Sequence, residues 1–202
     1  MNHYAHYISN YLYRRGIIKE EDRPIYTYGA EIALDFLIIL SIICFFGIIT
    51  DQIVSTIIFL VIYCMLRGCG GGYHARTYAK CCLCSVSTYL VVIFLNMAIG
   101  SDASGILFLP ILFIGDIILF ITAPSKNLIN PKSQKDILKN RNKLLKRMVI
   151  INILTFVCWL VPFVINIPFV ISCTLMAVAI LSFINGLQNY FIERRSLKWN
   201  GY

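Results

Sequence analysis

Six apolar runs of near-membrane length, separated by segments that hold all the positive charge, leave this chain few folds to choose from. The runs are Ile32–Thr50, Ile53–Leu66, Leu83–Ile99, Ile106–Ala123, Met148–Ile165 and Pro168–Tyr190. A helix needs about 20 mainly apolar residues to cross a bilayer, and a shorter one is accommodated by local thinning or by tilt of its neighbours. A buried helix of a soluble domain explains any one run but not all six. The chain is 58% hydrophobic and 14% charged, whereas soluble domains carry about 25% charged residues. No internal repeat, low-complexity tract or soluble second domain interrupts the pattern, so residues 1–202 read as one integral membrane domain of the all-α class, with six transmembrane helices.

Charge orients the spans. Arg14, Arg15, Lys19 and Arg23 precede the first run, and Arg67, Arg76 and Lys80 lie between the second and third. Lys126, Lys132, Lys135, Lys139, Arg141, Lys143, Lys146 and Arg147 lie between the fourth and fifth, and Arg194, Arg195 and Lys198 follow the sixth. These segments hold all 18 Lys and Arg residues, and the three connections on the opposite side hold none. Positive charge collects on the cytoplasmic side, which puts both termini there and the short loops near Asp51, Asp102 and Asn166 outside. A net charge of +8 in this setting points to anionic head groups rather than nucleic acid.

Two further segments read as interfacial. Tyr4, Tyr7, Ile8, Tyr11 and Leu12 recur at helical spacing ahead of Arg14 and Arg15, the pattern of an amphipathic helix in the head-group plane. That stretch has neither the continuous apolar core nor the cleavage site of a signal peptide. Lys132–Arg147 is polar nearly all round and predicts a basic helix above the cytoplasmic face. Asn166, Ile167 and Pro168 predict a turn between the fifth and sixth spans, because a residue before proline avoids the helical region.

Chemistry concentrates between Arg67 and Cys84, in RGCGGGYHARTYAKCCLC. Gly68 and Gly70–Gly72 permit backbone that a side chain would forbid. His74 is the one histidine outside the first six residues, and Cys81 follows it by seven positions, two helical turns. A histidine that removes a thiol proton leaves a nucleophilic thiolate. Two alternatives stand beside this reading. His74 with Cys81, Cys82 and Cys84 supplies four nitrogen and sulfur ligands for a tetrahedral zinc, although adjacent cysteines point apart. Cysteine is also common in apolar helices as a small hydrophobe, the expected role of Cys44, Cys64, Cys158 and Cys173.

The run Arg67, Gly71, Gly72, Tyr73, His74, Ala75 and Cys81 resembles the signature of the AgrB family, membrane endopeptidases of Gram-positive quorum sensing that process the autoinducing-peptide precursor AgrD. The resemblance extends to Tyr28-Gly29-x-Glu31 before the first span, Ala123-Pro124 after the fourth, the basic segment beyond, and the overall length. It implies that His74 and Cys81 are the catalytic pair and that Arg67 and Gly72 support them. It also implies an AgrD-like propeptide as partner, a homodimer, and no cofactor or metal. Family precursors end in an acidic tail, which Arg67 and the Lys139, Lys143 and Arg147 face of the basic segment would attract. The thiols of Cys69, Cys82 and Cys84 crowd the site beyond what the chemistry requires. A third residue orienting His74 is not declared. Glu31, Asp35 and Asp116 are candidates for polar support, because ionisable groups in spans usually face protein or a polar cavity. Functions of other classes remain open here: a small transporter with Asp35 and Asp116 in its pathway, or a non-catalytic peptide-binding subunit.

Overall fold

The computed structural model describes residues 2–70, 78–99, 101–123, 134–161 and 166–199, and these are all helical apart from short turns. The helices are α1 (Asn2–Arg14), α2 (Arg23–Ile49), α3 (Ile53–Gly70), α4 (Tyr78–Ala98), α5 (Ser101–Thr122), α6 (Gln134–Trp159) and α7 (Asn166–Trp199), with one 3-10 turn, Glu20–Asp22, ahead of α2. Among the described residues four stretches are long and apolar enough to cross a bilayer: Glu20–Ile49, Cys81–Ala98, Ser104–Thr122 and Asn166–Phe191. α3 contributes a shorter apolar stretch, Ile53–Gly68.

Two tight reversals fix the first three helices. After α1, Gly16 takes φ +70° and the Ile17 N–H reaches back to the Leu12 carbonyl at 3.1 Å. After α2, Asp51 takes φ 56° and the Gln52 N–H reaches the Gly47 carbonyl at 2.9 Å. Both are left-handed helix caps that satisfy an orphan carbonyl, and aspartate tolerates that backbone better than most side chains. α1 then lies along α2, with Thr27 Oγ1 donating to Ser9 Oγ at 2.8 Å and Arg23 donating to Asn10 Oδ1. Ala5 and Ser9 are buried in this contact while Tyr4, Tyr7 and Tyr11 are exposed, so α1 is a two-sided helix whose small residues face α2.

Three boundaries differ from the sequence expectation. α2 begins at Arg23 rather than Ile32, because Pro24 in its first turn suits a helix start. The basic segment and the fifth apolar run form one continuous helix, α6, rather than a separate helix above a span. Lys, Arg, Gln and Leu are all good helix formers, and Arg147 to Met148 offers no breaker. Asn166, Ile167 and Pro168 open α7 instead of forming a turn. Proline in a first turn loses no intrahelical bond, so the break falls before Asn166.

α7 is the hub. Residues 168–175 are buried on every side, which a helix achieves only when surrounded by others. It packs on α3, α4 and α6, and most extensively on α5. Ser104 Oγ donates to Asn166 Oδ1 at 3.1 Å near the two helix starts, and Gly115 meets Leu175 and Met176 further along, so α5 and α7 run parallel. α6 returns alongside them, antiparallel to α5, with Asn152 Nδ2 on Asp116 Oδ2 at 2.7 Å and Trp159 against Phe108 at 6.0 Å. Ser172 and Thr174 are buried and bond their own helix at the Pro168 and Val170 carbonyls, so no hydroxyl of this pair is stranded. Phe36, Leu37, Phe45, Ile48 and Ile121 point outward and exposed, the apolar belt of a lipid-facing surface.

Gly115 tests the α5–α7 contact. A Cβ there would meet Leu175 Cδ2 at 2.6 Å and the Met176 backbone at 3.2 Å. Gly115→Leu is expected to cost about 1–3 kcal/mol, the range for overpacking a close contact. Thermal unfolding in detergent should show a lower midpoint than wild type, and an unchanged midpoint would contradict the packing.

Candidate active site

The site grows from the last turn of α3 and the first turn of α4, which run antiparallel. Thr56 shares a 2.8 Å hydrogen bond with Tyr89, Tyr63 donates to Ser85 at 3.2 Å, and Arg67 donates to Cys81, in that order along the pair. This register is set by the tyrosines: Phe59 stacks on Tyr63 and meets Tyr89 edge-on, both at 5.2 Å. Each tyrosine hydroxyl then finds a partner across the contact, as a buried phenol must.

Arg67 is the centre of the cluster. Its NH2 donates to Cys81 Sγ at 3.0 Å, while its NH1 donates to Tyr63 Oη at 2.5 Å and Ser85 Oγ at 2.6 Å. The guanidinium also lies over the Tyr63 ring, 5.3 Å from its centroid. Ser85 Oγ donates to the Cys81 carbonyl at 3.0 Å. A guanidinium is always charged and acts only as a donor, so a donor fixed on sulfur is complementary to an anionic sulfur.

The helix phase separates the crowded thiols. Cys81 and Ser85 are four apart and face α3 together. Cys82 lies instead within electrostatic range of Asp35, the buried carboxylate of α2, which is also within range of Arg67. Cys84 is within range of Arg67 and Tyr63. Among the described residues no three His, Cys, Asp or Glu side chains form a metal-site grouping.

The remaining candidates fall in different places. His74, Gly71 and Gly72 lie outside the described residues, on the connection that joins α3 to α4. Glu31 lines a cavity of about 540 Å³ between α1 and α2, together with His6, Glu20 and Arg23. Asp116 accepts from Asn152 between α5 and α6, and Asp116 Oδ1 and Asn152 Oδ1 are buried without a hydrogen-bond partner. Lys139 and Lys143 are exposed on α6. Arg147 is half-buried and donates to the Met65 carbonyl, in the next-to-last turn of α3. It therefore ties α6 to the helix that carries Arg67.

Sequence reasoning missed Tyr63 and Ser85. A signal existed: Tyr63 is four residues before Arg67 and Ser85 four residues after Cys81, so each sits on the face its neighbour uses.

The Arg147 contact and the exposed lysines should behave differently on substitution. Arg147→Gln removes the charged hydrogen bond from α6 to the Met65 carbonyl of α3 and is expected to cost about 1–3 kcal/mol. Lys139→Gln and Lys143→Gln should stay within about 0.5 kcal/mol of wild type. Thermal unfolding of the three variants in detergent checks this, and an Arg147→Gln midpoint equal to that of the lysine variants would contradict the tie.

Searches of curated proteins and of solved structures returned no match. The family model for accessory gene regulator B matches residues 5–188, nearly the whole of the helical bundle. With its apolar helices, this chain is a membrane-associated protein and belongs to the AgrB family, whose members take part in processing the autoinducing peptide of the accessory gene regulator system.

Proposed function

We propose that this chain is a cysteine endopeptidase of the plasma membrane of a Gram-positive bacterium, cutting an AgrD-like propeptide on the cytoplasmic side. The observation that carries the reading is the charged donor on Cys81 Sγ, 3.0 Å from Arg67 NH2, at the end of the helix pair joined by the connection that bears His74. Zinc ligation is disfavoured by the same contact, because a guanidinium occupies the sulfur's side that a cation would need.

Cys81 thiolate attacks the scissile carbonyl, and the C–N bond breaks as His74 returns the proton to the departing amine. The acidic tail leaves, and the remainder stays on Cys81 as a thioester. A thiol or hydroxyl within the bound peptide then attacks that thioester, closing a thiolactone or lactone ring and freeing Cys81. The ring nucleophile has to outrun water, and a site at the membrane surface favours it by excluding solvent. Gly70, Gly71 and Gly72 are the proposed backbone donors to the oxyanion. Lys139 and Lys143, exposed on α6 beside the Arg147 tie, are the proposed attraction for the acidic tail. The working unit is a homodimer.

The six-span topology belongs to the same proposal. Arg67 is level with Cys81, and Gln52 is level with Asn96, whose Nδ2 donates to Gln52 Oε1 at 3.0 Å. α3 and α4 thus match over equal lengths of about 22 Å at 1.5 Å per residue. This supports α3 as a short crossing beside a full one. The parallel course of α5 and α7 supports a return crossing by α6, and with the charge distribution it supports cytoplasmic termini.

Cleavage by purified variants tests the reading. Cys81→Ala should abolish release of the tail, and Cys81→Ser should be nearly as inactive. His74→Ala should retain the thiol and lose its base and acid, slowing cleavage by roughly 10²–10⁴-fold. Cys82→Ala and Cys84→Ala should cleave at close to the wild-type rate. Tail release by Cys81→Ala at the wild-type rate would sink the peptidase reading in favour of a transporter or a binding subunit.

A further inference from the structure

The arginine contact with Cys81 depends on two side chains that no part of the acyl-transfer scheme uses. Tyr63 is 5% exposed and Ser85 1% exposed, so both hydroxyls sit where an unpaired polar group is expensive. Both converge on the same Arg67 nitrogen: NH1 donates to Tyr63 Oη at 2.5 Å and to Ser85 Oγ at 2.6 Å. That leaves NH2 directed at Cys81 Sγ, 3.0 Å away. The hydroxyls also bond one another at 3.2 Å, and Ser85 bonds the Cys81 carbonyl at 3.0 Å. The two hydroxyl protons each have an acceptor in reach. Tyr63 Oη gives its proton to Ser85, Ser85 gives its own to the Cys81 carbonyl, and both oxygens keep lone pairs for the guanidinium.

Rotation of a planar guanidinium is what such an arrangement prevents. Arginine has four side-chain torsions and considerable rotamer entropy, so a single bond to sulfur would leave the fork free to turn toward the aqueous side. Two buried acceptors on NH1, with the Tyr63 ring beneath the plane at 5.3 Å from its centroid, fix both the position and the tilt of the fork. The Tyr63 ring is itself held by Phe59, stacked at 5.2 Å.

We propose that Tyr63 and Ser85 are positioning residues for the nucleophile, acting through Arg67: they orient the guanidinium so that it holds Cys81 Sγ ready for attack. The proposal rests on the reading of Cys81 as the nucleophile. Both residues are buried, so neither hydroxyl is presented to a substrate arriving from solvent. Their loss should reduce the reactivity of Cys81 and leave substrate capture alone, so kcat falls while KM is retained.

The test compares two neighbouring thiols in the full-length protein in detergent. Iodoacetamide is applied at fixed pH, and peptide mapping by mass spectrometry gives the alkylation rates of Cys81 and Cys82 in the same sample. A variant that merely loosens the α3–α4 contact alters both, whereas loss of positioning alters Cys81 alone. Tyr63→Phe keeps the ring stack and removes only the hydroxyl, and Ser85→Ala removes the other acceptor. Each should lower the Cys81-to-Cys82 rate ratio roughly tenfold, the scale of one hydrogen bond to a charged group. The double variant should lose less than the product of the two, because both act through one nitrogen. Ser85→Thr keeps the hydroxyl and should restore the ratio. Wild-type ratios in both single variants, or a Ser85→Thr ratio as low as that of Ser85→Ala, would overturn the proposal. Cleavage of the precursor by Cys81→Ala, run alongside, separates the two failures. If that variant is inactive while the ratios stay at wild type, the positioning role falls and the peptidase reading survives. If that variant cleaves normally, the peptidase reading falls whatever the ratios.

Discussion

A guanidinium at the edge of an apolar bundle has to be met by acceptors, and the way Arg67 is met organises this molecule's chemical end. An arginine side chain has five donors and no means of shedding its charge, so leaving it unmatched among membrane helices is costly. Tyr63, Ser85 and Cys81 supply acceptors from α3 and α4, and together they lock the register of that helix pair. The same contacts deliver a charged donor to one sulfur. In the proposed chemistry stability and reactivity are therefore not separable at this site: the interaction that satisfies the arginine is the one that prepares the thiol.

The rest of the fold serves to hold that helix pair in place. α7 is wrapped on every side over residues 168–175, and it contacts α3, α4, α5 and α6. Close approach is possible where a side chain is missing, as at Gly115 against α7 and at Gly47, whose Cβ would meet Thr56 Oγ1 at 2.5 Å. Arg147 adds a charged contact from α6 to the end of α3. Apolar burial drives helices together only weakly within lipid, so such close backbone contacts and polar bonds carry much of the specificity.

The sequence was informative where the physics is local or additive. Apolar run length and the placement of Lys and Arg identify a membrane bundle, because each residue contributes to transfer energy separately. The reversal at Asp51 is legible as the only interruption between two apolar runs. Boundaries such as Asn166–Pro168 and Arg147–Met148 misled, because proline opens a helix as readily as it ends one and polarity does not break a helix. In the site, Arg67 and Cys81 stood out through spacing and resemblance. Tyr63 and Ser85 did not, because a tyrosine or serine in an apolar run has many uses and its partner lies on another helix. Glu31, Asp35 and Asp116 looked alike in the sequence, and packing alone distinguishes them. Asp35 lies within range of Arg67, Glu31 lines the α1–α2 cavity, and Asp116 pairs with Asn152.

Three thiols within four residues make the identity of the nucleophile the central claim. Cys81 accepts from the arginine, while Cys82 lies within electrostatic range of Asp35 on α2, so a covalent peptide should select one and ignore the other. The direct measurement is intact-protein mass spectrometry of full-length protein mixed with the AgrD-like precursor and quenched in acid, followed by mapping of the attached mass. The account predicts a thioester on Cys81, with a mass equal to the precursor less its C-terminal tail. The same mass on Cys82 or Cys84, or tail release with no attached mass at any time point sampled, would contradict it.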